Sequence, residues 1–88
     1  MDTQETLLEF PCEFPLKVMG LNTKEFIDVV REVVSRRLIG GARPAFSSRI
    51  SSTGKYVSVT ATFVAQSLDQ LNSIYGDLKK HPLVLTSL

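Results

Sequence analysis

Residues 56–65 read Tyr56-Val57-Ser58-Val59-Thr60-Ala61-Thr62-Phe63-Val64-Ala65, and their alternation decides the fold. Val57, Val59, Ala61 and Phe63 fall on one side of an extended chain; Tyr56, Ser58, Thr60 and Thr62 fall on the other. One face is apolar and the other mainly hydroxyl. That is the pattern of a strand in a sheet covered on one side only.

The residues before this strand, Ser52-Thr53-Gly54-Lys55, form a turn, with Gly54 suited to positive φ. The segment 42–51 precedes it. Pro44 bars it from a central strand position, while Phe46 and Ile50 predict a twisted edge strand with a partial inward face. Further upstream, Phe26, Val29, Val30, Val33, Val34 and Leu38 recur at helical spacing. Asn22 with Glu25 predicts a capping box at the start of that helix. Arg36 and Arg37 suit its last turns, and Gly40-Gly41 stops it. The valines are mediocre helix formers, so this helix needs a sheet face to exist. Leu16 to Gly20 predicts a short first strand ended by Gly20, after Pro11 and Pro15 hold the chain extended.

Downstream, Ser67 with Gln70 predicts a second capping box. Leu68, Leu71, Tyr75 and Leu78 follow at helical spacing with Ile74 beside them. Lys79-Lys80 close the helix, and Pro82 prevents its continuation. Leu83 to Leu88 predicts a last apolar strand. The order strand, helix, strand, strand, helix, strand, with right-handed crossovers, predicts a ferredoxin-like βαββαβ fold of the α+β class. The expected sheet is four-stranded and antiparallel, in order 4-1-3-2, with two helices on one face.

With 88 residues the chain holds one domain, expected over residues 14–88. Residues 1–13 carry four acids (Asp2, Glu5, Glu9 and Glu13) and no base, so the rest holds all ten bases. That stretch reads as an acidic arm whose Leu7, Leu8 and Phe10 pack on the domain edge. The polar, acidic start lacks the pattern of a signal peptide, and no run is apolar enough to span a bilayer. A cytoplasmic protein is expected.

Catalytic sets are hard to assemble from this composition. His81 and Cys12 are the lone histidine and lone cysteine, too few for a metal centre or a nucleophile–base pair. Asp28 with Glu32 falls on a solvated helix face. Ser51-Ser52-Thr53-Gly54-Lys55 has the ingredients of a phosphate loop. A P-loop needs a glycine at position 49 and a helix after the lysine, whereas Arg49 and a strand stand there. A hairpin turn able to hold a small anion is the milder reading. No cofactor, no metal and no enzymatic activity are expected.

Leu7-Leu8-Glu9-Phe10-Pro11, Lys17-Val18-Met19-Gly20, and Ser51-Ser52 with Gly54, Tyr56 and Ser58 together resemble the YbeD-like family of small bacterial proteins. The resemblance runs from Leu7 to Leu88. It implies a ferredoxin-like fold similar to ACT regulatory domains, which sense amino acids in biosynthetic enzymes and often dimerise with ligands in the seam. It supplies no catalytic residue. Its association with lipoate metabolism names no mechanism. Cys12-Glu13 and Arg43-Pro44 match none of its motifs.

The expected function is therefore a non-catalytic regulatory or adaptor domain that binds a partner protein or a small metabolite, with a homodimer as one form of partner. The expected contact surface is Lys17, Arg49, Ser51, Ser52, Gly54, Lys55, Tyr56 and Ser58. The alternative is nucleic-acid binding through a basic patch of Arg36, Arg37, Arg43, Arg49 and Lys55. Against it, RNA-recognition sheets stack bases on central aromatics, and Tyr56 alone, at a strand end, is a poor platform.

Overall fold

The computed structural model describes residues 9–40 and 43–87. Its elements run β1 (Cys12–Leu21), α1 (Lys24–Arg36), β2 (Ala45–Ile50), β3 (Tyr56–Ala65), α2 (Leu68–Lys80) and β4 (Val84–Ser87). All pairings are antiparallel and the sheet order is β2-β3-β1-β4, the expected 4-1-3-2 read from the other edge. Leu16 and Val18 of β1 and Val57, Val59, Ala61 and Phe63 of β3 are buried under the two helices. The opposite face carries Lys17, Met19, Ser58 and Thr60 and has no covering layer among the described residues. Burial of the apolar side drives this arrangement.

β1 is longer than the expected Leu16–Gly20. It begins at Cys12 and takes in Cys12 and Glu13, which the sequence assigned to the arm, along with Pro15. Asn22 continues the β1–β3 ladder, its N–H donating to the Lys55 carbonyl. Even-numbered β1 residues therefore point their backbone groups at β3, and Pro15 points its nitrogen the other way. β4 pairs only from Val18 onward, so Pro15 removes no ladder bond. Phe10 is half-buried against the core. Leu7 and Leu8 lie outside the described residues.

Gly20 does not end β1. It sits where a side chain has no room: a Cβ there would lie 2.5 Å from ring carbons of Phe26 and 2.8 Å from the Leu83 carbonyl oxygen. The β1–β4 register also slips between Met19 and Gly20.

α1 is capped by Thr23, not Asn22: the Thr23 hydroxyl accepts from the Phe26 N–H at 3.1 Å. Asn22 is engaged elsewhere, its Nδ2 donating to the Gly54 carbonyl at 3.2 Å. Phe26, Val30, Val33 and Val34 are buried as the spacing required, with Val29 and Leu38 half-buried beside them. The helix ends at Arg36, and Gly40 then turns the chain at φ +69°; Gly41 lies outside the described residues.

α2 starts at the expected cap, Ser67 accepting from the Gln70 N–H. Its buried stripe is Leu71, Ile74 and Leu78 together with Gln70. Leu68, expected in the stripe, is 49% exposed, and Tyr75 is only half-buried. Gln70 holds that place because its amide is bonded at both ends. Its Oε1 accepts from the Gln66 N–H at 2.7 Å, and its Nε2 donates to the Arg37 carbonyl at the end of α1. A buried amide with both ends bonded escapes the desolvation penalty.

A second link joins the helices. Arg37 grips Asp77 with two bonds, Nε to Oδ2 at 2.7 Å and Nη2 to Oδ1 at 3.2 Å. The Arg37 hydrogen bond holds the Asp77 carboxyl below the usual carboxylate range. A depressed folded pKa adds stability that is fully present above the unfolded value, near pH 3.9, and fades as pH falls through the folded one. The urea-unfolding gap between wild type and Asp77→Asn is therefore expected to stay constant from neutrality to about pH 5 and to close below about pH 4. A gap unchanged at pH 2 would refute this role.

Candidate functional site

On the uncovered face, strand register lines up side chains in rows. Arg49 pairs with Ser58, Ser58 with Met19, and Met19 with Thr86, so one row crosses all four strands. The adjacent row runs Ser47, Thr60 and Lys17. Tyr56 lies beyond them at the hairpin end, opposite Leu21. Three shallow depressions adjoin along these rows. Two, of about 280 and 370 Å³, hold Lys17, Arg49 and Ser58 together. The third, about 370 Å³, lies between Met19, Arg49, Ser51, Ser52, Tyr56 and Ser58.

Of the expected contact residues, Lys17, Arg49, Ser51, Ser52, Tyr56 and Ser58 thus lie along connected hollows. Gly54 and Lys55 do not line them. Gly54, at φ +77°, makes the turn, and its N–H donates to the Ser51 carbonyl. The turn is further knit by the Ser51 hydroxyl, which accepts from the Tyr56 N–H and contacts Thr53 Oγ1. Lys55 places its ammonium 5.4 Å from the Tyr56 ring centroid. Sequence reasoning left out Met19, Ile50 and Thr86 as site residues. Met19 is 41% exposed, and its odd position in β1 was the available signal. Ile50, expected to turn partly inward, is 56% exposed because β2 runs past the cover of the helices.

Lys24, Arg36 and Arg37 form ion pairs with Asp28, Glu32 and Asp77. Lys17 and Arg49 form none among the described residues. Four of the five bases proposed as a nucleic-acid patch form no single patch. Arg36 and Arg37 lie in ion pairs at the end of α1, Arg49 projects from the far side of the sheet, and Lys55 is stacked on Tyr56. Among the described residues no three of His, Cys, Asp and Glu converge as metal ligands, and no helix is long and apolar enough to cross a membrane. His81 serves its own turn: its N–H donates to the Leu78 carbonyl and its Nδ1 accepts from the Leu83 N–H.

Comparison with known proteins identifies the family and the fold. Residues 5–88 match a family described as "Protein of unknown function (DUF493)". A UPF0250 protein of Chromobacterium violaceum is 41% identical over 83 residues, covering 94% of this chain and 93% of that one. One from Serratia proteamaculans is 46% identical over 72 residues, 82% of this chain and 80% of that one. Among solved structures, the crystal structure of the ACT domain from GTP pyrophosphokinase of Chlorobium tepidum superimposes with a TM-score of 0.63 at 12% identity, covering 86% of this chain and 94% of that one. The solution structure of protein HP0495 from H. pylori gives a TM-score of 0.65 at 17% identity, covering 100% of this chain and 94% of that one. At such identities the structural likeness speaks to the fold alone. The chain belongs to the DUF493 (UPF0250) family, the YbeD-like group its motifs resemble, and carries the ferredoxin-like fold of ACT domains.

Proposed function

We propose that this chain is a non-catalytic regulatory domain of the cytoplasm that receives an anionic ligand, a small carboxylate or phosphate metabolite, on its uncovered sheet face. One observation carries the reading: Lys17 and Arg49 flank Ser58 in shared hollows, and neither cation has an acidic partner among the described residues. A lysine and an arginine beside hydroxyl donors supply charge-assisted bonds to an oxyanion. The ACT likeness supports a sensing role, as ACT domains are regulatory. The hollows are shallow, so affinity is expected to be modest.

The test is an amide-resolved NMR titration with citrate, inorganic phosphate and a panel of amino acids. At least one is expected to shift the amides of Lys17, Arg49 and Ser58, and Lys17→Ala with Arg49→Ala is expected to weaken its binding by about tenfold or more, the worth of one charged hydrogen bond. Silence across the panel, or shifts that the double variant leaves unchanged, would overturn the proposal.

A further inference from the structure

The three hollows of the uncovered face differ in lining, and two residues are common to all of them. Arg49 and Ser58 line each one. Lys17 lines two, and in one of these Met19 stands beside it. The third hollow lacks Lys17 and is walled by Met19, Ile50 and Tyr56 instead. Arg49 is thus shared between a cationic seat and an apolar trough.

Strand register sets the spacing. Lys17 and Thr60 share one row, Met19, Ser58 and Arg49 the next, and Leu21 and Tyr56 the one after. Successive rows on one face lie two residues apart along the strand, about 7 Å. An oxyanion between Lys17 and Arg49 therefore has Met19 beside it, with Tyr56 one row beyond. A chain of about five or six atoms covers that step.

The trough suits an apolar group. Met19 and Ile50 are 41% and 56% exposed, and an apolar tail would take their surface out of water. The Ser51 hydroxyl at the rim already accepts from the Tyr56 N–H and contacts Thr53 Oγ1. Lys55, with its ammonium over the Tyr56 ring, lines none of the three hollows. The face also lacks a seat for an ammonium. Among the described residues its one carboxylate is Glu13, in the Val64 row. That row lies two rows from Lys17 on the side away from Arg49, roughly 13 Å off.

We infer that the face takes a monocarboxylic acid with an apolar tail of about five or six atoms and no amino group. Its carboxylate sits between Lys17 and Arg49, and its tail runs along Met19 toward Tyr56. The inference rests on the proposed oxyanion seat and narrows its ligand to a class other than the amino acids that the ACT resemblance implies. An amino acid of the same length would bring its ammonium against two cations with no carboxylate to receive it. A compact polyanion such as phosphate or citrate would use the seat and leave the trough wet.

The test titrates the full chain with acetate, hexanoate, 2-aminohexanoate and citrate, read by amide-resolved NMR. Hexanoate is expected to bind about tenfold tighter than acetate. It is expected to bind about threefold or more tighter than 2-aminohexanoate. It should shift the amides of Met19 and Tyr56 as well as those of Lys17 and Arg49. Met19→Thr keeps a good strand residue and is expected to bring hexanoate within about threefold of acetate. Equal binding of hexanoate and acetate, 2-aminohexanoate as tight as hexanoate, or a Met19→Thr variant with the wild-type ratio would each overturn the inference. If citrate still moves Lys17, Arg49 and Ser58 in that event, the oxyanion seat stands and only the tail is refuted. If no anion moves them, both fall.

Discussion

Replacing Phe26 with alanine is expected to cost about 3–5 kcal/mol of stability. Its ring has no solvent exposure, and it is the largest side chain that is fully buried. It also stands at a junction. Its N–H completes the Thr23 cap of α1, and its ring edge fills the space a Cβ at Gly20 of β1 would take. The helix cannot hold a collapsed cavity there, because the cap and the strand fix both sides. A domain of this size has on the order of 5–10 kcal/mol in hand, so the variant approaches the threshold of unfolding. Urea denaturation followed by far-UV circular dichroism measures it. A loss under about 1 kcal/mol would mean the site repacks freely, contrary to this account.

The converse change, Gly20→Ala, is expected to destabilise by about 1–3 kcal/mol through overpacking. The new methyl meets two ring carbons at 2.5 Å and a backbone carbonyl at 2.8 Å. Neither neighbour can yield cheaply, since the ring is enclosed and the carbonyl belongs to the chain entering β4. The two positions are in contact, so their effects cannot add. Gly20→Ala is expected to cost markedly less in a Phe26→Leu background, where the ring edge is gone. A double-mutant cycle that sums without coupling would show that the methyl is accommodated elsewhere.

What could be read from the residues depended on how local the determinant was. The alternation of Val57, Val59, Ala61 and Phe63 fixed the buried face of β3, because a strand's period of two leaves one register for a one-sided core. The six-element order followed from caps and breakers, each set by a few neighbouring residues. The helix stripe of α2 was misplaced because a glutamine scores as polar. Only the carbonyl of Arg37, 33 residues away, makes Gln70 at home inside. Asn22 lost the cap to Thr23 for a similar reason: the hairpin tip, distant in sequence, claims its side chain. Cys12 and Glu13 read as part of an arm because Pro11 and Pro15 flank them, and only the shortness of β4 shows why Pro15 is harmless in a strand. At the candidate site, Lys17, Arg49 and Ser58 could be named from the sequence, but their adjacency comes from strand register. The exposure of Ile50 depends on where the helices stop, which no local pattern states.

Asn22 ties two distant ends of the molecule together. One amide and one side-chain bond fasten the hairpin tip to the corner from which α1 rises, and Phe26 wedges that corner against β1. The tip is thereby a lever with its fulcrum at Asn22. Any displacement of the loop at Gly54 or Lys55 therefore acts directly on the residue that precedes the Thr23 cap of α1.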